Sequence, residues 1–238
     1  MQINEERIAI LGASRGLGLA IASKLLAEPQ SQLWLSSRKI HLLRQTELLQ
    51  KYSERCRLTP FDFTKTDHFN RLVEEIDSFS PHRLIYCAGG GPFGKFHEKP
   101  WHSHLWALQL NFLFPAQLLH HLLTLTEAPF NSLKQIIFVG SSIAESMADP
   151  GAASYAAAKH GLKGLIHSLI DEGVASKIEV RLYSPGYMDT TMLPPNARPR
   201  QDGSLIAHPE EIADDLVLWM RTPLSQTLWH RIPKFDKK

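Results

Sequence analysis

Apolar residues along this chain gather in short, nearly unbroken runs, and longer stretches with helical spacing lie between them. The runs Arg7–Leu11, Gln32–Ser36, Arg57–Phe61, Leu84–Cys87, Gln135–Val139 and Glu179–Tyr183 read as strands. Helical spacing marks about Leu17–Ala27, Ile40–Tyr52, Thr66–Phe79, Trp101–Leu125, Ser154–Glu172 and Pro209–Met220. A run without alternation suits a strand covered on both faces, whereas a helix repeats its apolar residues every three or four positions. Pro29 stops the first helix, Thr66 or Asp67 is expected near the cap of the third, and His208 or a neighbour caps the last. This alternation predicts right-handed βαβ units and hence an α/β fold, a doubly wound parallel sheet with helices on both faces. No repeat or linker divides the chain, so residues 1–238 read as one domain. Residues 192–207, rich in Pro, Arg and polar side chains, read as a loop over the ligand-binding edge of the sheet.

Composition narrows the class. The chain has 238 residues, 43% of them hydrophobic, enough for a sizeable core. A net charge of +2 gives no reason to expect nucleic acid or an acidic membrane as partner. Two cysteines, Cys56 and Cys87, make no disulfide framework. Residues 1–7 lack the basic and apolar regions of a signal peptide, and no apolar run is long enough to cross a membrane, so the protein is expected to be soluble and cytoplasmic. Among 12 histidines, His102, His104, His120 and His121 stand close in sequence, but adjacent His120 and His121 point to different sides of a helix, and no metal site is expected.

In a doubly wound sheet, ligands bind beyond the carboxyl ends of the strands. Ile8–Gly18 reads as a strand, a glycine turn and a helix start, with Gly12, Ser14, Arg15, Gly16, Leu17 and Gly18 in the turn and first helical residues. Glycines let the backbone approach a pyrophosphate, and the free N–H groups of a helix N-terminus favour the anion. After the second strand comes Ser36-Ser37-Arg38, with no acidic residue from Gln30 to Thr46. An acidic residue there would bind the ribose hydroxyls of NAD, whereas Arg15 and Arg38 suit a 2′-phosphate, so NADP(H) is the expected cofactor. Tyr155 and Lys159, four apart on a predicted helix, share one face. An adjacent ammonium, together with a positively charged oxidised nicotinamide, favours phenolate and lowers the pKa of the phenol, making it a usable acid/base, and the Ser142 hydroxyl can hold a substrate oxygen.

In this order and spacing the motifs resemble the short-chain dehydrogenase/reductase family, in its single-domain branch, over about residues 8–190. The family's Thr-Gly-x-x-x-Gly-x-Gly appears as Leu11-Gly12-Ala-Ser-Arg-Gly16-Leu-Gly18. Its Asp after strand three matches Asp62 in Phe61-Asp62-Phe63, and its Asn-Asn-Ala-Gly appears as Tyr86-Cys87-Ala88-Gly89. Asn111, Ser142, Tyr155 and Lys159 match the catalytic set, with Ser142 thirteen positions before Tyr155. Pro185, Gly186 and Thr190, with Met188 between them, match the Pro-Gly motif and its threonine. The resemblance implies a Rossmann-type fold, Tyr155 as acid/base, Lys159 on the nicotinamide ribose, Asn111 supporting a water relay to that lysine, Asp62 and Phe63 at the adenine, and Thr190 at the carboxamide. It also implies a homodimer or homotetramer built on the Trp101–Leu125 helix and the helix carrying Tyr155.

Leu11, Tyr86 and Cys87 depart from the family pattern and raise the question of local sheet hydrogen bonding. Cys87 reads as a small buried residue rather than a nucleophile. Segment 224–238 lacks the family's glycine-bearing last strand. Phe93, Phe96, Ala144, Met147, Tyr187, Met192 and Leu193 follow strand ends and could line an apolar substrate pocket. The expected activity is hydride transfer between NADPH and a small-molecule carbonyl or alcohol. The alternative is a non-catalytic NADP(H)-binding sensor or scaffold on the same fold. A sugar epimerase or dehydratase is disfavoured, since little room remains for a sugar-nucleotide domain.

Overall fold

The computed structural model describes residues 5–124, 132–145, 149–172, 178–223 and 229–235. Six main strands alternate with helices: β1 Glu6–Leu11, α1 Gly16–Leu26, β2 Ser31–Ser37, α2 Glu47–Tyr52, β3 Cys56–Pro60, α3 Phe69–Phe79 and β4 Arg83–Tyr86. Then follow α4 Trp101–Leu108, α5 Phe114–Thr124, β5 Gln135–Val139, α6 Ala153–Asp171 and β6 Glu179–Tyr183. The chain continues with β7 Tyr187–Met188, α7 Arg198–Gln201, β8 Ile206–Ala207, α8 Pro209–Met220 and β9 His230–Arg231. Among the described residues, one seven-stranded sheet runs in the order β3-β2-β1-β4-β5-β6-β9, with every pairing parallel. This is the doubly wound Rossmann-type sheet read from the sequence.

The unbroken apolar strands follow from cover on both faces. Ile8 and Ile10 point to one side, with Leu33, Leu35 and Ile137, against α1 and α8. Ala9 and Leu11 point to the other, with Trp34, Leu84 and Phe138, against α3, α5 and α6. Each such fully buried aliphatic side chain is worth roughly 1.5–3 kcal/mol of transfer free energy, so both layers hold the sheet firmly. Strand order reverses between β1 and β4, which opens a crevice beyond their carboxyl ends.

Several predicted boundaries shift for identifiable reasons. The stretch read as one helix over Ile40–Tyr52 splits into a 3-10 turn, Ile40–Gln45, and α2. Thr46 makes the break, because its hydroxyl accepts the Leu49 N–H at 3.4 Å and so starts a new helix. Residues Thr66–His68 form a 3-10 turn ahead of α3, so neither Thr66 nor Asp67 caps it. The predicted long helix from Trp101 contains a π turn, Gln109–Leu113, between α4 and α5, and Leu125 lies outside the described residues. At α8, His208 is the cap, and its backbone N–H donates to Glu211 Oε2 at 3.2 Å. The 192–207 stretch has structure of its own: α7, and β8 paired to β7. Despite its missing glycine, the C-terminal segment supplies the last strand, β9, beside Leu182 and Tyr183 of β6.

The family departures leave the sheet intact. Leu11 is fully buried in the core, and its carbonyl accepts the Cys87 N–H at 2.8 Å. Tyr86 takes its place by reaching across to donate its hydroxyl to the Leu110 carbonyl at 2.8 Å.

Candidate active site

The crevice is a single cavity of about 760 Å³. Its floor is the glycine turn between β1 and α1. Gly12 has φ +99°, and a Cβ there would stand 2.5 Å from the Ala88 backbone nitrogen. A Cβ on Gly18 would meet the Gly12 carbonyl oxygen at 2.3 Å. Both glycines therefore set how closely β1, β4 and α1 converge. Arg15 is the extended N-cap of α1 and makes no side-chain cap, so the first-turn N–H groups face the cavity without one.

All the sequence-read cofactor residues meet on this cavity. Gly12, Ser14, Arg15, Gly16, Leu17 and Gly18 line one end, together with Arg38, Asp62 and Phe63. Ala88 and Gly89 of the loop after β4 line the middle, and Pro185, Gly186, Met188 and Thr190 close over it. Thr190 lies across the turn, its Cγ2 3.3 Å from where a Gly16 Cβ would be. A dinucleotide fits what is here on two independent counts. The glycine turn is a cradle that side chains would fill. Ser37, next to Arg38 in the cavity wall, keeps a buried hydroxyl without a hydrogen-bond partner among the described residues. Sequence reading passed over Ser37 because a serine at a strand end carries no signal of its own.

The reactive end lies where β5 and α6 face each other. Tyr155 and Lys159 are both buried, at 9% and 3% exposure, one turn apart on α6. Lys159 Nζ stands 5.6 Å from the Tyr155 ring centroid and donates to the Val139 carbonyl at 2.7 Å. Burial pushes the ammonium down from 10.5 to about 8. Burial likewise raises the Tyr155 phenol above its ordinary value, and a hydrogen bond with the Ser141 hydroxyl pulls it partly back. Desolvation is thus the larger influence on the phenol and the Ser141 hydrogen bond the smaller. Burial pushes the Cys87 thiol up to about 12, so the residue is an inert filler, as read from the sequence.

Ser142 lines the cavity, its N–H donating to the Pro185 carbonyl at 2.8 Å. Ser141 was missed: it caps the 3-10 turn Ser142–Ala144, accepting the Ile143 N–H at 3.3 Å, and reaches the phenol as well. Asn111 stands apart from the cavity wall. It is fully buried in the π turn, donating to Gly90 O at 2.6 Å and Ala107 O at 2.7 Å and accepting the Gly90 N–H at 3.3 Å. Its amide holds the loop after β4 to the helix behind it. Gly89 lies close to both this amide and Lys159: a Cβ on it would lie 3.1 Å from Asn111 Oδ1 and 3.9 Å from Lys159 Nζ.

The substrate side is apolar with a polar roof. Phe93, Tyr187, Met192 and Leu193 line it, joined by Ile143 and Pro150, which the sequence did not single out. Phe96 and Ala144 stand outside this wall, and Met147 lies outside the described residues. At the roof, Asp149 accepts the Tyr187 hydroxyl and Arg198 Nη2, the latter at 2.9 Å, and Arg200 pairs with Asp189 at 2.7 Å. Among the described residues, no group of three His, Cys, Asp or Glu side chains could hold a metal.

The family model described as short chain dehydrogenase matches residues 6–201. The chain belongs to the short chain dehydrogenase family. A relative in this family is the PIGF/3-ketodihydrosphingosine reductase fusion protein of Schizosaccharomyces pombe, 24% identical over 85% of this chain and 43% of that protein. The chain thus spans less than half of that relative's length. A 7beta-hydroxysteroid dehydrogenase of Mediterraneibacter gnavus is 22% identical over 87% of this chain and 79% of its own. Among solved structures, BdcA in complex with NADPH superposes with a TM-score of 0.79 at 22% identity, covering 96% of this chain and 93% of that one. This short chain dehydrogenase also has no helix, among the described residues, long and apolar enough to cross a membrane.

Proposed function

We propose that this short chain dehydrogenase is an NADP(H)-dependent oxidoreductase of the carbonyl reductase type, acting on a small, mainly apolar ketone or aldehyde, and working in the cytoplasm as a homodimer or homotetramer. The observation that carries this reading is the pairing of a buried phenol and a buried ammonium on α6, in the same cavity as a glycine cradle flanked by Arg15 and Arg38. The apolar lining by Phe93, Ile143, Met192 and Leu193 supports an apolar substrate, as do the ketone and steroid named for two relatives.

The glycine turn and the α1 N-terminus would hold the pyrophosphate. Arg15, Ser37 and Arg38 would hold the 2′-phosphate, and Asp62 with Phe63 would meet the adenine. Lys159 would hold the nicotinamide ribose, and Thr190 the carboxamide. When bound, NADPH supplies the hydride for the carbonyl carbon. Tyr155 gives its proton to the substrate oxygen. Burial keeps the phenol protonated at neutral pH, the state an acid needs before reduction begins. As charge passes to the phenol oxygen, the Ser141 hydroxyl and the Lys159 ammonium stabilise it. Ser142 orients the substrate oxygen. With a pKa of about 8, Lys159 remains mostly charged at pH 7.

Tyr155→Phe tests this directly. Turnover of a carbonyl panel, followed by loss of NADPH absorbance, should fall about 10²–10⁴-fold, with NADPH affinity by fluorescence titration within about threefold of wild type, since only one hydroxyl is removed. Full activity in the variant refutes the mechanism. A wild-type protein that binds NADPH tightly yet reduces nothing in the panel is instead a sensor or scaffold.

A further inference from the structure

Tyr155 sits in the first turn of α6, and that turn has a weak start. Ala152, the N-cap, has no side chain able to cap it. The first four N–H groups of any helix lack intrahelical partners, so an uncapped first turn frays. Something else must hold the phenol in place.

His104 does so from the neighbouring helix α4. Its ring is buried at 3% exposure, and both nitrogens are engaged. Nε2 lies 3.0 Å from the Phe96 carbonyl, which can only accept, so Nε2 carries the proton in this contact. In the neutral ring Nδ1 is then an acceptor, and it takes the Ser154 hydroxyl at 2.6 Å. Ser154 is itself buried and directly precedes Tyr155. The Phe96 ring closes over the imidazole with centroids 4.4 Å apart. Tyr155 also packs against the loop after β4: a Cβ on Gly91 would lie 3.0 Å from the Tyr155 Cβ, and the Phe93 ring lies 5.9 Å from the phenol ring. One imidazole therefore ties together α4, the first turn of α6, and the segment that runs from Gly91 to Phe96 along the substrate side.

We propose that His104 is a positioning residue for Tyr155, acting through Ser154 to tether the uncapped first turn, while its Phe96 arm fixes the wall that carries Phe93. The proposal rests on the oxidoreductase reading for its kinetic consequences only. The two arms separate by substitution. In His104→Asn the amide oxygen takes the place of Nδ1 and keeps the Ser154 bond. In His104→Gln the amide nitrogen takes the place of Nε2 and keeps the Phe96 bond. Ser154→Ala removes the first arm without touching α4.

The experiment measures hydrogen exchange of the Ala156–Lys159 amides together with steady-state kinetics, on full-length folded protein. Loss of one buried hydrogen bond predicts exchange about tenfold faster in Ser154→Ala and His104→Gln, with kcat about tenfold lower and the KM for NADPH unchanged. His104→Asn should keep exchange and kcat near wild type and raise mainly the KM for the carbonyl. Equal losses in the Asn and Gln variants, or unchanged exchange in Ser154→Ala, overturn the proposal. Faster exchange in a protein whose wild type reduces no carbonyl would leave the tether standing and remove the enzyme reading instead.

Discussion

Lys159→Met separates catalysis from stability in opposite directions. Holding this ammonium inside the fold, with its pKa moved from 10.5 to about 8, costs the folded state about 3 kcal/mol at pH 7. Methionine has a similar length and no charge, so the substitution removes that cost. It also removes the 2.7 Å bond to the Val139 carbonyl, a loss of about 1–3 kcal/mol. The variant should therefore be as stable as wild type at pH 7, or up to about 2 kcal/mol more stable by the same two terms. The pH dependence carries the sharper sign. Because the folded pKa is depressed, the unfolded chain holds more protons between about pH 8 and 10.5, and wild type regains stability as pH rises through that window. The advantage of the variant should shrink by about 2 kcal/mol between pH 7 and pH 9.5. Urea unfolding of both proteins at the two pH values measures it, and other titrating groups cancel in the difference. Turnover should fall at least about 10²-fold in the variant at pH 7. A stability difference that does not move with pH would mean that the amine is solvated and that the desolvation argument for the whole site is wrong.

Gly12→Ala places a methyl 2.5 Å from the Ala88 nitrogen at φ +99°. Both strand ends must shift, at a cost of roughly 2–4 kcal/mol, and thermal unfolding together with NADPH titration should show lower stability and at least about tenfold weaker binding. Arg38→Ala should weaken NADPH binding about 10–100-fold, the worth of a charge-assisted contact to phosphate, and leave NADH binding within about twofold; equal losses for both would place Arg38 away from the 2′-phosphate. Asp149→Ala releases Tyr187 and Arg198 at the roof. Since Arg198 is mostly exposed and its pairing is screened by water, the KM for the carbonyl should change by about two- to fivefold while kcat stays put, and limited proteolysis within 192–207 should quicken.

Much of the molecule was legible because the signals were local or periodic. The strand runs around Ile8–Leu11 and Ile136–Val139 needed only the absence of alternation, and the glycine turn only its spacing. The misses share a cause: they depend on partners distant in sequence. Arg181 lies in the middle of β6 yet is fully buried, donating to the Trp219 carbonyl at 2.5 Å at the end of α8. A cation at a helix C-terminus is a favourable end cap, but nothing in the strand announces it. Asn111 was read as the family's asparagine in the long helix, but the π turn that hands its amide to Gly90 and Ala107 is invisible in a pattern with helical spacing. Ser141 and Ser142 are neighbours, and spacing from Tyr155 pointed to Ser142 alone. Which hydroxyl meets the phenol depends on the 3-10 turn that Ser141 caps.

Burial acts on the phenol beside the charges that can be counted in the sequence. Tyr155 and Lys159 are four residues apart, and in water the ammonium would lower the phenol. Here both are withdrawn from solvent, and the same low dielectric that strengthens their attraction penalises each charge separately. The penalty wins for both groups, so the phenol moves up and the ammonium down. The raised phenol rests in its protonated form, and it gives up that proton less easily than a free phenol unless charge beside it stabilises the phenolate. In the carbonyl reduction proposed for this site the proton to be given is thus already in place, and accepting one from an alcohol requires that further positive charge enter the crevice first.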